Sequence, residues 1–319
     1  MRCFPCLLLA AGLAPFGSAK TTCSKIDIDS RRSADQGIGI TIDARKWVNC
    51  DEVDLSITSA LDSDNKLLAA GAQELSRYIG VSQRLKRLKL TGNFIGDEGA
   101  AYIAAGLSSN SVLESLWLGQ NNISDTGLSA IMEALENNQQ LRELKLDFNS
   151  IHSTDSVYNT IDPAQSISGL QHIDLTGNRL DDDSAFLLLN AAPLENQQVQ
   201  QLMLGLNQIT DVGAAGIADV LATDPPSLTG LWLDGNNISD VGAEALALSL
   251  RNNSHIEKLS LTGNEGYFGQ WGDAVRVQLS LGTEQRVDGK GDFDCISHVS
   301  QVWIADLYRF AVCVLNSGA

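Results

Sequence analysis

The chain has 319 residues, 44% of them hydrophobic and 19% charged, so it can bury a sizeable core and lacks the composition of a disordered chain. Lys and Arg number 22 and Asp and Glu 39, which gives a formal net charge of −17. Because nucleic acids and anionic membranes attract basic surfaces, this balance argues against both as partners. It would instead speed the encounter with a basic partner.

Residues 1–19 are predicted to be a secretory signal peptide. Arg2 is followed by an apolar run over residues 6–14 and then by small residues at 17–19, which is the order that such signals have. The run is too short to span a bilayer as a helix. A buried first helix is the alternative interpretation, although a proline on each side of the run disfavours it. We therefore expect a secreted or lumenal protein with no membrane span.

The cysteines outside the predicted signal are Cys23, Cys50, Cys295 and Cys313. In an oxidising compartment they predict two disulfides, and more than one pairing is possible. Their grouping near the two ends of the chain favours Cys23–Cys50 and Cys295–Cys313, each worth about 3 kcal/mol in the chain-entropy model. Free buried thiols are the alternative.

A nine-residue motif recurs along the chain. Its first copy is Leu85-Lys-Arg-Leu88-Lys-Leu90-Thr-Gly-Asn93, and later copies follow at steps of 28 or 29 residues. Self-similarity at a fixed period of this length predicts a solenoid of stacked units. The seven copies begin at Leu85, Leu113, Leu141, Leu170, Val199, Leu228 and Ile256.

The pattern L-x-x-L-x-L-x-x-N resembles the leucine-rich repeat family, and its step resembles the ribonuclease-inhibitor-like branch, which includes NOD-like receptor repeats and Ran GTPase-activating proteins. The resemblance covers residues 85–275. It implies an α/β horseshoe with parallel strands on the concave face and helices on the convex face. We expect residues 20–84, with a degenerate first repeat, and residues 276–319 to form disulfide-stapled caps, because a stack exposes apolar ends.

Each unit has a readable physical pattern. Leu88 and Leu90 show the two-residue period of a strand with one buried face. The segment after the motif predicts a helix, with Asp97 as its N-cap or first-turn acid and metal binding as the alternative. The asparagine that ends each motif carries both a donor and an acceptor, and predicts a structural ladder along the stack. The ladder residues are Asn93, Asn121, Asn149, Asn178, Asn207, Asn236 and Asn264.

Strand alternation places a second set of side chains away from the leucines, on the concave face. Trp117 and Trp232 occupy equivalent positions there, and large aromatics on such faces are typical interface anchors. The alternative is that both indoles lie flat on neighbouring side chains and bind nothing. The predicted partner-binding residues are Lys89, Trp117, Lys145, Asp147, His172, Asp174, Met203, Trp232 and Asp234.

No motif for catalysis, metal binding or cofactor binding is present. The chain lacks a phosphate loop, a zinc-protease motif and a serine-hydrolase elbow, and outside the predicted signal it lacks a C-x-x-C pair. The sequence therefore predicts a monomeric, non-enzymatic protein that needs no cofactor or metal and recognises another protein. Regulation of an enzyme in trans, in the manner of a GTPase activator or an enzyme inhibitor, is the alternative. A hydrolase site in the terminal regions is a third interpretation.

Three Asn-x-Ser sequons are candidate glycosylation sites if the chain is secreted. They lie at Asn122, Asn237 and Asn252. The first two directly follow ladder asparagines.

Overall fold

The computed structural model of the protein describes residues 50–57, 67–153, 169–190, 198–251 and 253–264, together with the backbone of four short strands at 22–24, 29–31, 39–41 and 276–278. The predicted signal peptide, Cys295, Cys313 and Asn252 lie outside the described residues.

Short strands alternate with longer helices along the chain. The strands are β1 (Thr22–Ser24), β2 (Asp29–Arg31), β3 (Gly39–Thr41), β4 (Glu52–Asp54), β5 (Arg87–Lys89), β6 (Ser115–Trp117), β7 (Glu143–Lys145), β8 (His172–Asp174), β9 (Gln201–Met203), β10 (Gly230–Trp232), β11 (Lys258–Ser260) and β12 (Arg276–Gln278). The helices are α1 (Leu68–Val81), α2 (Gly96–Ser108), α3 (Asp125–Glu136), α4 (Asp182–Asn190), α5 (Asp211–Leu221) and α6 (Asp240–Ser249).

One open sheet runs through the described part of the chain, in the order β1-β4-β5-β6-β7-β8-β9-β10-β11-β12. The pairs from β4 to β11 are parallel and follow chain order, and equivalent leucines stand opposite each other, as Leu88 does to Leu116 and Leu116 to Leu144. At the far edge β12 pairs antiparallel with β11, while β2 and β3 form a separate antiparallel pair. The predicted α/β solenoid of parallel strands is confirmed.

Helix spacing and strand spacing together decide which face is concave. Neighbouring helices contact one another on one side of the sheet, for example α1 with α2 and α2 with α3. Packed helix axes lie about 8–10 Å apart, whereas paired strands lie about 4.8 Å apart. The stack therefore bends with its strands on the inside.

The core lies between the sheet and the helices. Leu88, Leu116 and Leu144 are at most 1% exposed, as are the helix residues Ile103 and Leu107. Because the units contribute equivalent leucines, and each described helix packs its inner face on them, the buried hydrophobic residues form one cluster through the described part of the chain.

The degenerate first repeat is present as β4 and α1. Val53 of β4 pairs with Leu88 of β5 in the same register as the later strands, and α1 packs against α2. Cys50, just before β4, is buried and disulfide-bonded. Its bonding partner and the second predicted disulfide lie outside the described side chains, so both pairings stay predictions.

The first-turn aspartates join each helix to the next one. Ser239 is the N-cap of α6, and Asp211, at the start of α5, accepts from the backbone N–H and the hydroxyl of Ser239 at 2.7 and 2.6 Å. It also accepts from the N–H of Gly242 at 3.0 Å. Asp97 makes the same contacts to Ser124 and Gly127. The aspartates are thus first-turn acids of their own helix and capping groups for the following one.

We expect Asp211→Asn to remove an acid-sensitive part of the stability. Burial alone would raise the pKa of Asp211, but the hydrogen bonds from Ser239 and Gly242 outweigh it and lower the pKa below the ordinary 3.8. A lowered folded-state pKa stabilises the fold above the unfolded pKa, and this contribution disappears as pH falls through the folded value. The wild-type advantage should therefore be about 1 kcal/mol near pH 7 and smaller near pH 3, measured by urea unfolding.

Asp219→Asn, on the exposed face of the same helix, is the matched control. It removes a charge without touching the junction between α5 and α6. An equal loss at both pH values for Asp211→Asn would contradict the role given to its carboxylate.

Candidate functional site

The asparagine ladder lies at the carboxyl end of the strands, where each chain turns towards its helix. Asn149 is representative: its amide nitrogen donates to the carbonyls of Leu118 and Leu146 at 3.0 and 2.9 Å. Its amide oxygen accepts from the backbone N–H groups of Asn121 and Ile123 at 3.0 and 2.9 Å. Every ladder asparagine is at most 8% exposed. Each one therefore fixes the turn of its own unit to that of the preceding unit.

A second asparagine ladder, which the sequence analysis missed, joins the opposite ends of the units. Asn138 donates to the carbonyls of Leu107 and Asn110, both at 2.8 Å, and accepts from the N–H of Leu141 at 3.1 Å. Asn110 and Asn253 make equivalent contacts. Each lies three residues before a motif starts, so a search for polar residues at the repeat period would have found them. Together the ladders hold the strand positions that carry the concave side chains.

Trp117 is held between two lysines on the first half of the concave face. The Nζ atoms of Lys89 and Lys145 lie 4.4 and 4.1 Å from its ring centroid, which is cation–π distance. Lys89 also pairs with Glu52 at 2.7 Å, and Lys145 pairs with Glu143 at 3.4 Å. The indole is half-buried by this arrangement. Its orientation is therefore fixed before any partner arrives.

The two glutamates next to this cluster are held ionised. The hydrogen bond from Lys89 is the largest cause that lowers the pKa of Glu52, and Arg87 adds to it at 2.7 Å. Burial would raise the pKa of Glu143, but Ser115, Trp117 and Lys145 lower it overall. The buried Nε1 of Trp117 has no acceptor at hydrogen-bonding geometry among the described residues, so its effect on Glu143 is that of a nearby N–H dipole.

Three carboxylates on the concave face lack an ion pair but have other partners. The charge of Lys145 acts on Asp147, the N–H of Thr176 donates to Asp174, and Ser260 and Thr262 donate to Asp234. Asp147, Asp174 and Asp234 form no ion pair with any described residue. Burial, and secondarily the charge of Asp174, raises the pKa of Asp147. The lysines of β5 and β7 are thus paired within the concave face, whereas Asp147, Asp174 and Asp234 have no ion-pair partner among the described residues.

The remaining predicted residues are spread along the second half. Trp232 folds back over Gly230, where an added Cβ would lie 2.6 Å from the indole. His172, between the register positions of Glu143 and Gln201, and Met203 are half-buried. The structure therefore groups Lys89, Trp117 and Lys145, and brings Asp147 near Asp174, but leaves the others as separate points on the face.

The turn before each ladder asparagine holds a further feature that sequence reasoning missed. That residue has a positive φ in all seven units, and it is glycine in four of them. Phe148 and Leu206 take this position in two units and are 49% and 51% exposed. An alignment of the seven copies on their asparagines would have shown large apolar residues in a glycine column.

The two described sequons are accessible, since Asn122 and Asn237 are both exposed. Among the described residues, no group of three or more His, Cys, Asp or Glu side chains could hold a metal ion. Within the same part of the chain, no helix has both the length and the apolar character that crossing a membrane requires.

Stacked parallel strands, outer helices and ladders of buried asparagine define a repeat solenoid. The family model described as "Leucine Rich repeat" matches residues 81–104, 109–132, 195–218 and 225–247. The chain therefore contains leucine-rich repeats, and such repeats indicate a protein-interaction module.

Solved structures with similar repeats include the leucine-rich repeat domain of APL1, at 16% identity over 81% of this chain and 55% of that one, with a TM-score of 0.41. Toll-like receptor TLR13, in its complex with ssRNA13, is 19% identical over 70% of this chain and 30% of that one, with a TM-score of 0.42. Actin-binding site 2 of leiomodin-1 is 21% identical over 41% of this chain and 73% of that one, with a TM-score of 0.32. Comparison with curated proteins finds no significant match.

Proposed function

We propose that the protein is a secreted or lumenal, non-catalytic recognition protein that binds a partner protein on its concave face. The observation that carries the proposal is the row of half-buried side chains along β5 to β11, which presents two indoles and three carboxylates without an ion pair to a described residue. The repeat step of 28 or 29 residues is compatible with the ribonuclease-inhibitor-like branch. Signal-like features in residues 1–19 and two exposed sequons support a place in the secretory pathway.

The indoles support binding because both are oriented but only half-buried. Trp117 is braced by Lys89 and Lys145, and Trp232 rests on Gly230. They do lie on neighbouring groups, as the alternative interpretation held, yet part of each ring remains open to a partner. Binding would therefore immobilise little side-chain freedom, which lowers the entropic cost of association.

The charges support a basic partner. A net charge of −17 would attract it over a distance, and the carboxylates of Asp147, Asp174 and Asp234 would pair with it on contact. If this partner is itself an enzyme, binding would inhibit or activate it, which is the alternative function.

Photo-crosslinking from the concave face tests the proposal. A photo-reactive residue at Met203 should capture one dominant partner from the native secretions, whereas the same residue at Glu133, exposed on the outer helix α3, should not capture it. Equal capture from both positions, or capture from Glu133 alone, would contradict concave binding.

With that captured partner purified, we expect Trp117→Ala and Trp232→Ala each to weaken its binding by at least about thirtyfold, the equivalent of 2 kcal/mol for a buried aromatic anchor. The measurement is titration calorimetry, with Glu133→Ala as the control. Unchanged affinity in both tryptophan variants would remove the indoles as anchors.

A further inference from the structure

At the turn position directly before the ladder asparagine, two of the seven units carry a large apolar residue where the backbone favours glycine. Phe148 has φ +51° and Leu206 has φ +54°, in the left-handed region that carries an energetic cost for a residue with a Cβ. Four other units relieve this cost by placing glycine at the same position. Strain of this kind collects at functional sites, which makes the two exposed side chains candidates for a role in binding.

The neighbouring units make room for these side chains. An added Cβ on Gly177 would lie 2.5 Å from the ring of Phe148, and one on Gly235 would lie 2.5 Å from Cδ2 of Leu206. Each side chain therefore lies across the glycine turn of the following unit. Because the two are two units apart, they form apolar supports about 10 Å from each other along the edge of the sheet.

The backbone fixes both supports. The N–H of Phe148 donates to the carbonyl of Thr176 at 2.7 Å, and the N–H of Leu206 donates to that of Asp234 at 2.6 Å. Both hydrogen bonds continue the backbone hydrogen bonding between neighbouring parallel strands. Their exposed halves are therefore not the result of a loose loop.

The carboxylates without an ion pair belong to the same units as these supports or to neighbouring ones. Asp147 directly precedes Phe148, Asp174 precedes the turn that contains Gly177, and the backbone of Asp234 pairs with Leu206. We define the apolar-acidic edge as Phe148, Leu206, Asp147, Asp174 and Asp234. The edge combines about half of two large apolar side chains with three carboxylates that form no ion pair with a described residue.

We propose that the apolar-acidic edge docks a segment of a partner protein in which basic and large apolar side chains alternate. The proposal rests on the proposed function and specifies the chemistry of its partner. Charge complementarity selects Lys or Arg for the carboxylates, and the supports select apolar side chains at matching spacing. An acidic segment would meet like charges, and a purely basic segment would leave the supports in water.

Synthetic peptides of equal length test the docking on the chain from residue 20 onward. One alternates Arg with Leu, one Glu with Leu and one Arg with Ser, and binding is followed by fluorescence polarisation. We expect the Arg-Leu peptide to bind at least tenfold more tightly than either of the others. Added salt should weaken it only in part, because the apolar contacts are not screened.

The double substitution Phe148→Gly with Leu206→Gly should weaken the Arg-Leu peptide at least tenfold and leave the unfolding midpoint unchanged or higher. Glycine fits the left-handed turn, so the variant removes the supports without breaking the fold. The matched control is Gln120→Gly, which changes the same turn position in a neighbouring unit without removing an apolar side chain, and should bind as the wild type does. Asp147→Asn with Asp174→Asn should abolish the preference for Arg-Leu over Glu-Leu.

Equal binding by the double glycine variant and Gln120→Gly would overturn the inference, as would wild-type protein that does not distinguish the three peptides. Failure to bind any of the peptides would overturn it too. The proposed function fails separately, when the photo-reactive residue at Met203 captures no partner that the same residue at Glu133 does not also capture.

Discussion

Asn149→Ala is expected to cost roughly 3–5 kcal/mol of unfolding free energy. The substitution removes the partner of the buried Leu118 carbonyl and of two buried N–H groups, while the Leu146 carbonyl keeps its hydrogen bond from Asn178. Each unsatisfied group costs about 1–3 kcal/mol before relaxation. Water cannot easily replace the amide, because Asn149 is 8% exposed at the centre of the stack.

Because units in a solenoid are stabilised by their neighbours, the damage should spread from the third unit. Urea unfolding measures the loss, and hydrogen exchange should show protection falling first at the N–H groups of Asn121 and Ile123. Asn122→Gly is the control, since Asn122 is exposed and already has a positive φ of 58°. It should change stability by no more than about 0.5 kcal/mol. A similar small change for Asn149→Ala would contradict the ladder as the main joint between units.

We expect Gly92→Ala to destabilise the chain by about 2–5 kcal/mol, the second largest effect. Gly92 has φ +78°, and a Cβ there would overlap the carbonyl oxygen of Ile57 in the preceding unit. Because that atom belongs to the backbone, β4 and β5 would have to separate. The cost adds a steric part of about 1–3 kcal/mol to the left-handed penalty.

Gly96→Ala separates the two parts of this cost. Gly96 has φ +64°, but nothing lies within 4 Å of the place where its Cβ would be. Only the left-handed penalty applies, so we expect a loss of about 1–2 kcal/mol in the same unfolding measurement. Equal losses for Gly92→Ala and Gly96→Ala would show that the first repeat does not pack closely against the second.

The fold could be read from the sequence because its information is local and repeated. Leu88 and Leu90 indicate a half-buried strand by their spacing alone, and Asn93 indicates a turn whose backbone needs a polar partner. Repetition at 28 or 29 residues then leaves little choice of topology, since equivalent leucines must bury themselves against one another. The sequence also identified which columns lie on the concave face, because strand alternation fixes the side of the sheet.

Contacts between different units decided how the side chains of the site are held and which of their charges are paired. Lys89 and Lys145 belong to different repeats and meet only because β5 and β7 flank β6, so their joint hold on Trp117 has no signal within one motif. The same holds for Asp211, whose hydrogen bonds go to the next helix.

The sequence by itself thus determined a leucine-rich solenoid, its acidic charge and the residues available on its inner face. Only the tertiary structure decided which of those charges are neutralised, how far each indole is covered, and that Phe148 and Leu206 remain exposed on strained turns. The physical reason is the distance along the chain over which each kind of interaction acts. Burial patterns act over a few residues and repeat along the chain, whereas neutralisation and exposure depend on the distances between side chains that belong to different units.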